Sequence, residues 1–271
     1  MLRKLLKYEF KATGRGIIPL YGALLFLALL SKIFVINKIN VDDSRIIYIM
    51  QMLSILLYGA TMAAIAVATI LIIVQRFHKN LLSDEGYLMN TIPVSINANI
   101  TSKLIVSTVW CCISMIIAVI SILILAATKD NMSQFFSELS HIFGDLFNEF
   151  GINVPIVGLE FFLAGIAQIA LNIVLLYASV CIGHLLPKMK ILGAFAAYLG
   201  LNTAMTIIIT SIAQFSSSIV YFRTFIENFA KNSPVAFTHA IAIGALILNI
   251  IWFIIFYVIT HYILKNKLNL E

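Results

Sequence analysis

The ionisable side chains inside the apolar runs of the sequence are the first candidates for chemistry. They are few: Glu160, His184 and His261 lie within runs, and His239 lies at the edge of one. Glutamate and histidine can transfer protons, and histidine can bind metal ions. Glu160 and His184 fall near opposite ends of one run, and neither His184 nor His261 has a second ligand at metal-binding spacing. Two interpretations of Glu160 are open: an interfacial carboxylate, or a proton or substrate site.

The motifs of known catalytic and nucleotide-binding sites are absent from the sequence. It contains no HExxH, no GxSxG and no Walker motif. Serines in the apolar runs, such as Ser114, Ser121 and Ser179, lack a plausible catalytic base nearby in sequence. The three cysteines lie in apolar runs, which favours a packing role. We therefore expect no enzyme activity, no metal site and no cofactor in this chain, which cannot bind ATP through a P-loop of its own.

A compact polar segment separates two of the apolar runs and has a pattern of its own. It reads HKNLLSDEGYLMNTIPVSINANITSKL and covers residues 78–104. Ser83 is a suitable N-cap for a short helix and Pro93 would end it. Tyr87 and Leu88 would then project apolar bulk that can fit a groove on a soluble partner and carry its motion into the adjoining helices. The predicted coupling residues are Ser83, Asp84, Glu85, Gly86, Tyr87, Leu88 and Met89.

Small and polar residues recur along the fifth apolar run. Small residues spaced three or four apart let helix backbones approach closely in lipid. The stripe in this run is a candidate contact within the chain or with a second subunit, and comprises Gly193, Ala197, Gly200 and Ala204. Polar residues of the same run are candidates for a central translocation path or for ordinary hydrogen bonds between helices, and include Asn202, Thr206, Thr210 and Ser211.

The amino-terminal stretch, residues 1–15, predicts a short amphipathic helix in the membrane interface. Leucines and Phe10 share one side of a helix, and lysines and Arg3 share another. Glu9 falls within the apolar arc. Two interpretations of Glu9 are open: a solvated flank residue, or one partner of a cytoplasmic ion pair.

The elements that hold these residues follow from composition. Of 271 residues, 61% are hydrophobic and 11% are charged, and the mean hydropathy is +1.02. A span needs about 20 apolar residues, so the sequence predicts an all-α integral membrane protein with one transmembrane domain over residues 1–271. The predicted spans are 17–36, 53–74, 104–127, 156–186, 191–215 and 239–264. This apolar composition makes a lipid bilayer the expected partner, and the net charge of +6 is too small and too dispersed to indicate nucleic acid.

Orientation follows from the distribution of lysine and arginine, which favour the cytoplasmic side. Twelve of the 18 basic residues lie on the side that holds both termini. We therefore expect cytoplasmic termini and a cytoplasmic loop over residues 78–103. Residues 128–155 then lie outside, and their pattern predicts an amphipathic helix that ends near Gly151. Its role is either to cap the bundle or to serve as an outer lid or substrate contact. Residues 216–233 are expected to form a shorter and less ordered outer loop.

The sequence resembles the membrane subunit of ABC-2 type ABC transporters, of the bacterial kind whose ATPase is a separate chain. Three stretches carry the resemblance, together with the six-span layout: LLKYEFKATGR, RFHKNLLSDEGYLMNTIPVSINANITSKL and LYASVCIGHLLPKMKILGAFAAYLGLN. The resemblance implies a coupling helix, here residues 83–91, and two permease subunits, identical or related, around a central path. It also implies two ATP-binding subunits that hold ATP and Mg²⁺, and a location in the bacterial plasma membrane.

The resemblance implies export by alternating access, driven by ATP hydrolysis in the partner chain. The expected cargo is amphipathic or hydrophobic: an antimicrobial peptide, a drug or a lipid-like molecule. Two other classes stay open, a membrane receptor or scaffold without transport and an intramembrane enzyme. A scaffold would retain no ATPase, and an enzyme would need ionisable groups that converge at one depth.

Overall fold

The described part of the chain folds almost entirely into helices. The computed structural model describes residues 2–36, 45–82, 95–126, 129–186 and 188–267, and these ranges contain no strand. The predicted all-α fold is confirmed. The helices are α1 (Leu2–Ile36), α2 (Arg45–Leu81), α3 (Ile96–Ala126), α4 (Lys129–Phe150), α5 (Val154–His184), α6 (Lys190–Ser218), α7 (Val220–Asn232) and α8 (Pro234–Asn266), with a 3₁₀ turn at Gly151–Asn153.

Six helical stretches are long and apolar enough to cross a membrane. Five lie in α1, α2, α3, α6 and α8, and the sixth runs through α4 and α5 as Met132–His184. Their apolar surface is mostly exposed: only 11% of the most apolar window of α3 is buried. Soluble proteins rarely expose apolar surface on this scale, so the helices indicate a multi-pass membrane protein. At 1.5 Å per residue, α3 is about 46 Å long and exceeds a hydrocarbon core of about 30 Å.

Contacts divide the chain into two compact units. The first comprises Met1–Arg76 and Val109–Phe143, and the second comprises Phe77–Thr108 and Gly144–Glu271. The segments on both sides of the predicted coupling residues thus belong to the second unit, together with α5, α6, α7 and α8.

Hydrogen bonds between hydroxyl groups connect the helices of the first unit. The Tyr21 and Ser114 hydroxyls, on α1 and α3, lie 2.6 Å apart. The Tyr58 and Ser121 hydroxyls, on α2 and α3, lie 2.9 Å apart. Lipid supplies no hydrophobic drive between helices, so bonds of this kind and close packing hold them together.

Helix α1 differs from its prediction because it runs unbroken through the expected junction near residue 16. A Cβ on Gly14 would lie 3.1 Å from the Trp110 ring, and one on Gly16 would lie 3.4 Å from Ile72. The junction therefore packs closely within the first unit and is not a linker between two helices. A separate interfacial helix over residues 1–15 is not confirmed.

A helix, α4, covers most of the segment 128–155, and the segment expected to be less ordered is also helical. Helix α4 ends as predicted near Gly151, whose φ of +54° lies in the left-handed region that favours glycine. Residues 220–232 form α7, so the expectation of low order there is wrong. Arg223 donates to Glu227 across one turn, at 2.9 Å, and the Phe229 ring packs edge-on against Phe237 of α8. The outer position of both helices stays a prediction.

Helix α5 holds the core of the second unit and packs against α6 and α8. Its inward side chains include Val174, Tyr177, Ala178 and Cys181, all at most 1% exposed. The burial of Cys181 fits the predicted packing role. In the paired helices α5 and α8, Glu160 meets His239 near the start of both, and the Asn249 amide donates to the Ala164 carbonyl at 3.2 Å. The two helices therefore run parallel, and their carboxyl-terminal ends lie at the same end of the unit.

Candidate functional site at the base of the 83–94 loop

The predicted coupling residues Ser83, Asp84, Glu85, Gly86, Tyr87, Leu88 and Met89 lie outside the described residues. The structure instead describes the two points where the loop of residues 83–94 leaves the helices. Helix α2 and its last turn precede the loop up to Leu82, and Ser95 and α3 follow it. We call the side chains that hold these two points, all in the second unit, the loop base.

Aromatic stacking fixes the helix that enters the loop. Phe77 near the end of α2 stacks on Tyr177 of α5, with ring centroids 3.9 Å apart and planes 9° apart. Phe77 is 0% exposed and Tyr177 is 1% exposed. The Tyr177 hydroxyl also lies 2.9 Å from the Ser107 hydroxyl on α3. Tyr177 thus connects α5 both to the helix that enters the loop and to the helix that leaves it.

A pair of histidines holds the last described residue before the loop. The His184 Nε2 bonds to the Leu82 carbonyl, which makes the Nε2–H the donor in this tautomer. The His184 and His78 rings stack with centroids 5.5 Å apart. His184 is the last residue of α5, so this bond joins the end of α5 to Leu82, immediately before the loop. Lys190, at the start of α6, interacts electrostatically with both imidazoles.

Close packing of α5 and α6 supports the histidine pair. A Cβ on Gly183 would lie 2.3 Å from the Ala194 amide nitrogen, a distance that real Cβ atoms do not reach. A Cβ on Gly193 would lie 2.5 Å from Leu186. Glycine is therefore required at Gly183, where the close atoms belong to the backbone, whereas at Gly193 the Leu186 side chain could move aside. The short connection between α5 and α6 places Lys190 beside His184.

The carboxyl-terminal side of the loop is held by α8. The Ser95 hydroxyl oxygen accepts a hydrogen bond from the Ala98 backbone N–H at 3.3 Å and so caps the start of α3. The Tyr257 hydroxyl of α8 donates to the Asn97 side-chain oxygen at 3.3 Å and lies 3.5 Å from the Thr101 hydroxyl. Both ends of the 83–94 loop are therefore attached by side chains to long helices of the second unit.

The candidate small-residue stripe on α6 is divided by the structure. Gly193 is buried and packs against α5 within the chain, and Ala197 is half-buried. Gly200 and Ala204 are exposed, and a Cβ on Gly200 would meet no atom within 4 Å. The alternative of packing within the chain holds for the first part of the stripe, and a contact with a second subunit stays a prediction for the rest.

The candidate path residues lie along α6 with much of their surface exposed. Asn202 is half-buried, and Thr206, Thr210 and Ser211 are exposed. The Thr206 hydroxyl donates to the Asn202 carbonyl at 2.9 Å, and the Thr210 hydroxyl donates to the Thr206 carbonyl at 2.8 Å. Both acceptors lie in α6 itself, so these two threonine hydroxyls bond within their own helix and not to another one.

Two carboxylates proved to be less exposed than sequence alone could show. Glu9 is 8% exposed, so the solvated-flank interpretation is wrong, whereas the ion pair stays a prediction. Glu160 lies 2.8 Å from His239 Nδ1, and both side chains are about one-fifth exposed. This pair joins α5 to α8 far from the loop base. Both residues of the pair stand out in the sequence as ionisable groups in or beside apolar runs, but no sequence pattern indicates that the two meet.

The paired ionisable side chains of α5 form two separate contacts, one at each end of the helix. No group of three or more His, Cys, Asp or Glu side chains in the described ranges could hold a metal ion. The histidine pair of the loop base bonds to backbone and ring partners, and both histidines lie apart from the Glu160–His239 pair. The arrangement is suited to holding a loop between helices. Comparison of the chain with protein-family models, curated proteins and solved structures gives no match.

Proposed function

We propose that this chain is the permease subunit of an ABC-2 type exporter and that its 83–94 loop docks a separate ATP-binding subunit. The observation that carries the proposal is the loop base. Side-chain contacts attach one end of the loop to α5, through Tyr177 and His184, and the other end to α8, through Tyr257. A segment that receives force from a soluble partner needs such attachment, because a flexible connection to the membrane helices would not transmit the partner's movement to them.

The contacts of the loop base give a route for that movement. Displacement of the loop would pull on Leu82 and on Asn97, and so on the helices bonded to them. Tyr177 couples the two sides, since its ring stacks on Phe77 and its hydroxyl meets Ser107. Close-packed cores shift between discrete arrangements and do not deform continuously. In the proposed mechanism α5, α8 and the loop therefore move together.

The energy for transport comes from the partner in this proposal. ATP and Mg²⁺ bind to two ATP-binding subunits, whose approach moves the docked loops and rocks two permease subunits between inward- and outward-facing states. ATP can bias this equilibrium only through its different affinity for the two states. The proposed location is the bacterial plasma membrane, with both termini and the loop in the cytoplasm.

The exposed polar side of α6 supports a second subunit. Thr206, Thr210 and Ser211 are exposed on a helix that is apolar enough to span the membrane. Polar side chains in membrane helices usually face a bundle interior or a water-filled cavity. We propose that this side of α6 meets a second permease subunit, identical or related, around the path. The cargo proposed for this path is an amphipathic or hydrophobic molecule such as an antimicrobial peptide, a drug or a lipid-like compound.

Co-purification tests the proposal. The native chain, tagged and extracted in mild detergent, should retain an ATP-binding protein in stoichiometric amount. The double change Tyr87→Ala and Leu88→Ala should remove it, because these side chains are the proposed apolar contacts with the ATP-binding subunit. Tyr221→Ala is the matched control, since Tyr221 is 88% exposed on α7 and lies outside the loop. A native chain that retains no ATP-binding protein would support the scaffold interpretation instead.

A further inference from the structure

A groove at the end of α8 adjoins the Tyr257–Asn97 bond of the loop base. It has a volume of about 350 Å³, and its lining comes from one side of the last turns of α8 and from the start of α3. The lining residues are Asn97, Tyr257, Val258, His261, Tyr262, Lys265 and Asn266. Tyr257, His261 and Lys265 are spaced four apart, so they follow one another along one side of the helix.

Two groups of the groove are without partners in the described part of the chain. Lys265 is exposed and forms no ion pair there. The His261 Nδ1 is buried and has no hydrogen-bond partner. Buried polar atoms in proteins are nearly always hydrogen-bonded, and exceptions often mark a water, ion or ligand site. The groove therefore holds a cation and an unsatisfied imidazole side by side.

The surroundings of the groove are basic. The described segments at this end of the second unit are residues 77–82, 95–103, 184–190 without Pro187, and 257–267, and none of them contains aspartate or glutamate. They contain six lysines, among them Lys188, Lys190 and Lys267. The described carboxylates of the second unit lie in α4, early in α5 and in α7. Of these six lysines Lys265 lines the groove, so an anion there would meet the positive charge of Lys265.

An apolar stripe continues from the groove along α8. Ile247, Ile251, Ile254 and Val258 follow one another at spacings of four, three and four residues, and each is about half exposed. Val258 belongs both to the stripe and to the groove. Tyr257 and Tyr262 place aromatic rings at the junction, as is common where a helix leaves the hydrocarbon core. A groove that carries the Lys265 cation at the end of an exposed apolar stripe has the chemistry of a phospholipid site.

We propose that the groove binds the phosphate head group of an anionic phospholipid, with an acyl chain along the α8 stripe. Lys265 supplies the charge, His261 and Asn97 supply hydrogen-bonding groups, and Ile254 with Val258 contact the chain. This site is independent of the ATPase partner. Its position beside the Tyr257–Asn97 bond means that an occupied groove would brace the carboxyl-terminal side of the loop base.

Lipid binding can be measured on the purified full-length protein by native mass spectrometry. The probes are phosphatidylglycerol and phosphatidylcholine with identical acyl chains, so that only the net head-group charge differs. The native chain should retain phosphatidylglycerol in preference. One lysine near anionic head groups contributes enough attraction that Lys265→Gln should weaken phosphatidylglycerol binding about fivefold. Lys188→Gln is the control, because Lys188 is exposed at the same end but lies outside the groove.

The outcomes separate the proposal from its rivals. Equal loss in Lys265→Gln and Lys188→Gln would indicate diffuse surface attraction and would overturn the groove. Displacement of the lipid by millimolar inorganic phosphate would indicate a soluble anion and would overturn the lipid as occupant. If Lys265→Gln lowers the melting temperature of the protein, His261→Gln is the variant to test instead. Unchanged phosphatidylglycerol binding by His261→Gln would count against the site.

Discussion

The bond between Tyr177 and Ser107 allows the loop base to be tested by a double-mutant cycle. Tyr177→Phe removes the hydroxyl and keeps the ring that stacks on Phe77, and Ser107→Ala removes the other partner. The two side chains are 1% and 6% exposed, so water does not replace the lost partner in either single variant.

The size of the effect follows from that burial. Hydrogen bonds between membrane helices contribute about 0.6 kcal/mol on average and up to about 1.7 kcal/mol. Because both groups here are buried, we expect a value above the average, about 1 kcal/mol. Each single variant should therefore lose about 1 kcal/mol of unfolding free energy, and the double variant should lose little more than one single variant. The coupling energy should be about 1 kcal/mol.

Unfolding of the purified protein in mixed micelles, with increasing denaturant, measures these free energies. Trp252 reports on the second unit, because its ring stacks on Phe256 of the same helix. A second cycle that pairs Tyr177→Phe with Ser217→Ala should be additive, since Ser217 is exposed and bonds within α6. Simple additivity of Tyr177→Phe and Ser107→Ala would refute the bond as a link across the loop base.

The same unfolding measurement checks two further contacts. Gly183→Ala should lower the free energy of unfolding by about 1–3 kcal/mol, because its Cβ would lie 2.3 Å from the Ala194 amide nitrogen. Gly200→Ala, the control, should change it by less than about 0.5 kcal/mol. Equal effects of the two variants would count against the close approach of α5 and α6. Glu160→Gln should cost about 1–2 kcal/mol through loss of the charge-assisted bond to His239, and almost nothing when His239→Gln is already present. A full loss in the His239→Gln background would mean that Glu160 acts through another partner.

The parts of the fold that depend on local composition were predictable from the sequence. Long apolar runs identify membrane-crossing helices because lipid requires them, and the left-handed Gly151 ends α4 where a glycine was expected. Helix α7 was missed because its support is a short-range pair, Arg223 with Glu227, and packing against α8 through Phe229. Neither feature produces the long apolar period that marks a span.

The loop base depends on contacts that local patterns do not encode. Phe77 and Tyr177 are separated by about a hundred residues, and the Tyr257 hydroxyl meets Asn97 across 160 residues. The sequence identified residues 78–103 as the segment of interest and His184 as a residue near a helix end. It could not show that His184 bonds to Leu82, because that depends on how α5 packs beside the end of α2.

Cross-linking from position 87 tests the central claim most directly. A photoreactive phenylalanine analogue in place of Tyr87, in otherwise native full-length protein in intact bacterial cells, should capture an ATP-binding protein on irradiation. The same analogue in place of Tyr221 should not capture it. Cross-links from position 87 that form only within the chain itself, or labelling of position 87 by a reagent confined to the outside of the cell, would contradict the account.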